Sequence, residues 1–377
     1  MKKKILFSYL IIILFFVLTF LVSKFLSSYS FTNIEDVDFV VGVGFDVTKE
    51  LDRNIYHVPM SIYNFTKDDT VSTYLIDSKG ETPLQARMDR QTHSGRKFSL
   101  GSEKIYIFSR RVCETGLAVP LDGLLNNTQV TSRGLVLTTS QDPKDILSFK
   151  VEGYPSSSHY IENLIKSLNS FSYFSKPETL RDAYIENTGE GRKFLAPNID
   201  IVDGELQLTS LSVLDKGKLV GSVPIDNVTY LNLLRNPQGT ALLTYLEDNN
   251  NTISTENIFK RHIKCEKSGD TFSFDIKLDI KGKIVNNNYL STSDFTPEQK
   301  LELEKKISDY IKTGIEDFIA SMKTTYELDL LNLGNIAASK FGRNTVADWD
   351  EEILKSDIKV SVNFKITKLG IGNINLE

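Results

Sequence analysis

The chain has 377 residues, 44 basic and 49 acidic, for a net charge of −5. Its apolar fraction of 40% and charged fraction of 25% are those of a folded protein, not of a disordered or collagen-like one. No basic stripe or tail stands out, which argues against nucleic acid as a partner.

Three lysines, Lys2 to Lys4, precede an uncharged and mostly apolar run over residues 5–23. Roughly nineteen residues is the length a helix needs to cross about 30 Å of hydrocarbon. The lysines favour the cytoplasmic side, so the rest of the chain is expected outside the cytoplasm. The run exceeds the apolar core of an ordinary signal peptide, about 7–15 residues, and Ser28-Tyr29-Ser30 is a poor cleavage match. Residues 1–28 are therefore read as an uncleaved transmembrane anchor, with a signal segment as the alternative. Setting aside Lys2, Lys3, Lys4 and Lys24 leaves 40 basic against 49 acidic residues, a net charge near −9 for the exported part.

Residues 38–46, Asp-Phe-Val-Val-Gly-Val-Gly-Phe-Asp, read as a buried strand, and residues 55–65 as its neighbour. Glu81-Thr82-Pro83 opens a helix through about Thr92. A strand follows at 104–109, helical turns lead to Leu125, and another strand covers 133–139. Asp142-Pro143 has the form of an N-cap with proline at the first helical position. Alternation of strands and helices predicts an α/β domain with a mixed sheet over 31–152.

A break at Gly153-Tyr154-Pro155-Ser156 opens a second unit, α+β, over 153–255. Tyr160, Leu164, Ile165 and Leu168 share one helical face, and a short helix begins near Pro177. Residues 206–214 and 219–224 flank Asp215-Lys216-Gly217-Lys218 as a hairpin. Asp248 to Asn251 reads as a loop.

In the third unit, 256–377, alternating Phe272, Phe274, Ile276, Leu278 and Ile280 mark a half-buried strand, as do Ile358, Val360, Val362, Phe364 and Ile366. Between them Thr296-Pro297-Glu298-Gln299 forms a capping box. The long helix that follows carries Leu303, Ile307, Tyr310, Ile311, Phe318, Ile319, Met322 and Tyr326 on one stripe, with Gly314 permitting close packing or weakening it. An antiparallel sheet with this helix laid on it is expected.

Chemistry is sparse. Gly42-Val43-Gly44 follows a strand start, but Val47 stands where a dinucleotide fingerprint needs its third glycine, so the glycines read as close strand packing. Gly189-Glu190-Gly191-Arg192 reads as a loop. His57, His93, His159 and His262 are scattered, with no metal-ligand spacing. The pairs Asp68-Asp69 and Glu351-Glu352 read as solvated surface. Cys113 and Cys265 lie far apart; two lone buried thiols are the simpler reading, with pairing left open. No catalytic, cofactor-binding or metal-binding residue is assigned, and no cofactor is called for.

Taken in order, several segments resemble the Ger(x)C proteins, the C subunits of nutrient germinant receptors in spore-forming bacteria. Val40-Val41-Gly42-Val43-Gly44-Phe45-Asp46 resembles the family's opening "TGIGID" strand, and Gly80 to Ala86 and Gly95 to Gly101 continue the match. Lys104-Ile105-Tyr106-Ile107-Phe108-Ser109 with Glu114-Thr115-Gly116-Leu117 resembles "KVVIIGEELAREGI". Leu121-Asp122-Gly123-Leu124-Leu125 is similar to "LDFLLRD", and Lys218-Leu219-Val220-Gly221 to "KLVGWL". Asp348-Trp349-Asp350-Glu351 and the last strand resemble "DWEEIF…VDVKIRRTG". The family's lipobox cysteine and Trp-Asp-Arg are missing between Ser28 and Glu35, which leaves the apolar run as the tether.

The resemblance implies a non-enzymatic receptor subunit on the outer face of the spore inner membrane, with three α/β or α+β domains in a row. It implies two integral membrane subunits as partners and leaves direct nutrient contact open. An exported, membrane-tethered solute-binding or adaptor protein is the alternative.

Overall fold

The computed structural model describes residues 2–27, 36–65, 71–168, 177–246, 252–287 and 296–368. Helix α1 (Lys2–Ser27) leads. Its described side chains, at position 7 and over 11–24, are all exposed. Among the described residues no helix is long and apolar enough to cross a membrane. The expected membrane helix is therefore not shown.

The next elements are β1 (Val37–Glu50), β2 (Arg53–His57), β3 (Met60–Phe65), β4 (Val71–Ile76), β5 (Lys79–Gly80), α2 (Pro83–His93), β6 (Lys97–Ser99) and β7 (Ile105–Ser109). The expected single strand over 55–65 is two. Pro59 has no N–H to give a ladder, and the chain breaks there. β2 pairs with β1 from Asp46 to Glu50, β3 with β1 from Val40 to Val43, and β7 lies parallel to β1 on its other side. At Gly42 and Gly44 in β1, neighbours come too close for a side chain. A Cβ at Gly42 would sit 2.9 Å from Leu147 Cδ2, and one at Gly44 would sit 2.7 Å from Pro143 Cβ. Thr82 caps α2 by accepting from Gln85 N.

Then come α3 (Arg110–Thr115), α4 (Ala118–Leu125), β8 (Leu135–Thr139), α5 (Pro143–Ser148), α6 (Ser157–Leu168), α7 (Leu180–Thr188), β9 (Phe194–Val202), β10 (Glu205–Asp215) and β11 (Lys218–Pro224). β7, β8 and β9 run parallel, and β10 and β11 extend the sheet antiparallel, giving eleven strands among the described residues. Asp203-Gly204 and Lys216-Gly217 all have positive φ, the conformation of the tight hairpin turns that join β9, β10 and β11. The parallel strands are covered on both faces, so their apolar residues divide by period two. Ile105, Ile107, Leu135 and Leu137 face α5 and α6. Tyr106, Phe108 and Val136 face α3, α4 and α7.

The last elements are α8 (Val228–Arg235), β12 (Gln238–Leu246), β13 (Thr252–Ser268), β14 (Thr271–Asn287), α9 (Pro297–Ser321), α10 (Leu333–Phe341), α11 (Trp349–Lys355) and β15 (Asp357–Lys368). A four-stranded sheet, β12-β13-β14-β15, carries α9 on one face. Thr296 and Gln299 form the expected capping box. The sheet is not purely antiparallel as expected: β15 runs parallel to β14. A helix between two strands returns the chain to the same end of the sheet, which makes parallel pairing possible. The expected start of this unit at 256 falls inside β13, and β12 belongs to the same sheet. The sheet of β1 to β11 likewise continues across residue 152. The expected loop at Asp248 to Asn251 lies outside the described residues.

Candidate functional site

β7 and β8 are parallel neighbours in register from Ile105↔Leu135 to Ser109↔Thr139. From the carboxyl end of β7 the chain enters α3, whose first turn is capped by Ser109 Oγ. α3 and α4 pack on the face of Tyr106 and Phe108. From the carboxyl end of β8 the chain enters α5, capped by Asp142, which packs on the opposite face. Two adjacent parallel strands thus send their connections to opposite sides. That topology leaves a crevice outside their carboxyl ends, the usual place for a ligand in an open α/β sheet.

The crevice holds a cavity of about 320 Å³ between α3 and strands β8 to β11. Its floor is polar. Thr138 Oγ1 donates to Asn198 Oδ1 at 3.1 Å and lies 2.7 Å from Ser212 Oγ. Asn198 Nδ2 donates to Thr209 Oγ1 at 2.9 Å and to Asp200 Oδ2 at 2.7 Å. Asp200 also accepts from Thr139 Oγ1 at 2.9 Å, from Ser140 N at 2.8 Å and from Thr209 Oγ1 at 3.3 Å. Both carboxylate oxygens are therefore engaged. At the mouth, Arg110 Nε and Glu114 Oε1 pair at 2.7 Å, with both side chains more than half exposed.

Local sequence explains this floor. Pro197 removes a ladder donor from β9, and β8 meets β9 at a single pair, Thr138↔Asn198. The register of β9 with β10 slips between Leu208 and Ser210, so Thr209 is the extra residue of a bulge. Both devices part the strands where polar side chains gather. Sequence reading missed these residues; the one available signal was the alternation Asn198-x-Asp200 beside a strand-interior proline.

A second polar cluster lies on the other side of α3. Asp46 accepts from Ser109 Oγ at 2.6 Å and from Arg111 Nε at 3.0 Å, with Arg111 Nη2 on its second oxygen. Burial pushes the Asp46 carboxyl up, but the Arg111 and Ser109 hydrogen bonds outweigh it and hold the group below its usual range.

The histidines are not brought together. His57 bonds Thr48 at 3.1 Å, and His159 bonds Tyr63 at 2.9 Å and Ser156 at 2.8 Å. His93 contacts Asp89 O at the end of α2, and His262 lies on β13. Among the described residues no group of three or more His, Cys, Asp or Glu could hold a metal. Cys113 and Cys265 are free and buried, and burial pushes the Cys113 thiol up to about 12. Asp68-Asp69 lie outside the described residues, and exposed Glu351 pairs with Lys355.

Two family models account for most of the chain. "Spore germination protein N-terminal domain" matches residues 30–201, and "Spore germination B3/ GerAC like, C-terminal" matches 209–370. The chain belongs to the Ger(x)C family of spore germination proteins. It is 21% identical to spore germination protein GerQC of Bacillus cereus over 364 residues, covering 94% of this chain and 98% of that one. It is 22% identical to YndF of Bacillus subtilis over 279 residues, 71% of this chain and 67% of that one. Its fold matches the crystal structure of the GerBC protein with a TM-score of 0.57 at 14% identity, covering 86% of this chain and 97% of that one. Membership gives this Ger(x)C protein a role in spore germination. Its crevice draws on both matched segments: Thr138 and Asn198 come from the first, Ser212 and Ser222 from the second.

Proposed function

We propose that this chain is a non-enzymatic subunit of a nutrient germinant receptor, placed on the outer face of the spore inner membrane. The observation that carries the reading is the succession of both Ger(x)C segments over 30–201 and 209–370. Two integral membrane subunits are its partners in this reading. The apolar residues 5–23 serve as its tether; they contain no charged residue and follow three lysines. A stably inserted helix holds at least as firmly as a single acyl chain. The saturated hydrogen bonding of Asp200 supports a binding role over acid–base chemistry.

The test is nutrient-triggered germination in spores lacking this chain, followed by dipicolinic acid release, with a non-nutrient trigger as control. Loss of the nutrient response with the control intact is expected. A normal response to every nutrient, in a strain without related copies, would replace the reading. Mass spectrometry of the mature N-terminus tests the tether: a chain starting near Phe31 would remove it.

The crevice favours a second reading, an exported and membrane-tethered solute-binding or adaptor protein. In that case the isolated chain binds a small molecule and spores lacking it germinate normally.

A further inference from the structure

We propose that the crevice between α3 and β8 to β11 is a binding site for a small neutral polyol of monosaccharide size. This goes beyond the receptor-subunit reading and rests on the crevice alone.

Three observations set the ligand's chemistry. First, the cavity of about 320 Å³ sits at the low end of ligand pockets, which run from about 300 to 1,000 Å³. Second, hydroxyls and a carboxamide dominate its polar lining, among them Thr138, Ser140, Asn198, Thr209, Ser212 and Ser222. Asn198, Thr138 and Thr209 spend their donors on the floor network, which leaves the hydroxyls of Ser140, Ser212 and Ser222, each able to donate and accept, to meet a ligand whose own groups are hydroxyls. Third, among the described residues no unmatched charge lines the space. Arg110 and Glu114 pair with each other at the mouth, and Asp200, behind the floor, is engaged by four donors. A charged ligand would have to break one of these arrangements or enter without a counter-ion, which a confined site disfavours. Leu219 and Val220 on β11 offer apolar surface for the C–H face of such a ligand.

The test uses the full chain in lipid nanodiscs and saturation-transfer NMR. Glucose and sorbitol are the neutral polyol probes; glycine and inorganic phosphate are the charged ones. Saturation transfer to the polyols is expected, with weak or no transfer to the charged probes. Ser222 is exposed at the mouth, outside the floor's hydrogen-bond network. Ser222→Leu should therefore weaken polyol binding at least about tenfold with an unchanged melting temperature. Val220→Phe, 45% exposed in the native chain, is the second mouth-filling variant should the first unfold. Absence of transfer to both polyols would overturn the proposal. So would undiminished transfer in a folded mouth-filling variant, or tighter binding of glycine or phosphate. Spores lacking this chain that fail to germinate, with no polyol bound, would sink the proposal and leave the receptor reading standing. Polyol binding with normal germination would do the reverse.

Discussion

Asp329 is held in a place that disfavours its charge. It is 2% exposed, in the turn between α9 and α10. Its carboxylate accepts from Gly334 N at 2.7 Å and Leu331 N at 3.1 Å. Burial pushes its pKa up to about 6, against the pull of the backbone N–H groups and of Lys193. Below about 3.8, the unperturbed value, the carboxyl is protonated in both folded and unfolded chains. Between there and about 6 the folded chain holds the extra proton, so stability from this group falls as pH rises through that window. Asp329→Asn cannot titrate. Wild type should lose on the order of 2 kcal/mol relative to this variant from pH 4 to pH 7. Urea unfolding of both proteins across that range reads the difference; a flat difference rejects it. At Gly44 the constraint is steric. Its missing Cβ would meet two proline rings, Pro143 at 2.7 Å and Pro59 at 2.9 Å, and neither ring can swing aside. Gly44→Ala should cost about 1–3 kcal/mol, the usual range for overpacking. A variant melting like wild type would show that the start of α5 and the β2–β3 connection yield.

Elements were readable where one periodicity ruled. The strand near the C-terminus alternates, and Val360, Phe364 and Ile366 are buried, with Val362 half-buried. Phe364 is 1% exposed and its ring fills the space beside Gly282, whose Cβ would lie 2.5 Å from it. Phe364→Ala should cost about 3–5 kcal/mol in denaturant unfolding, and Phe364→Asp should unfold the four-stranded sheet. Wild-type melting of either would refute the packing of β15 under α9. The caps at Thr82, Asp142 and Thr296 were equally plain, because side chains there bond the first free N–H groups. Strand direction was not readable, since alternation is the same for a parallel and an antiparallel neighbour. β9 was missed because Pro197 and Asn198 interrupt its apolar run, and that interruption forms the floor of the crevice. The polar residues that make the candidate site are thus the ones that hide its strand.

At the scale of the whole molecule, the two sheets are joined by a polar seam that no local pattern announces. Arg235 at the end of α8 donates to Leu330 O at 2.9 Å, to Asn332 Oδ1 at 3.2 Å and to Glu186 Oε2 at 3.3 Å, and also to Lys193 O. Lys193 pairs with Asp350 at 2.8 Å and with Asp215 at 3.3 Å, and Trp349 Nε1 donates to Glu190 at 2.8 Å. These bonds tie α7 and β9 to the α9–α10 turn and α11, elements more than 130 residues apart in the chain. Glu186 and Arg235 are 17% and 11% exposed. Glu186 also pairs with Arg192 at 3.2 Å, so removing Arg235 leaves a mostly buried carboxylate with one cation, and removing Glu186 leaves Arg235 with uncharged acceptors alone. Arg235→Met should cost about 3–5 kcal/mol, the range for a broken buried pair. Glu186→Leu combined with Arg235→Met removes both charges, and apolar replacement of a buried pair is often neutral. The double variant should therefore be more stable than Arg235→Met alone. Equilibrium unfolding of the two single variants and the double variant gives the coupling directly. A double variant as weak as the sum of the singles would mean that the seam is held by its backbone contacts, with the ion pair contributing nothing.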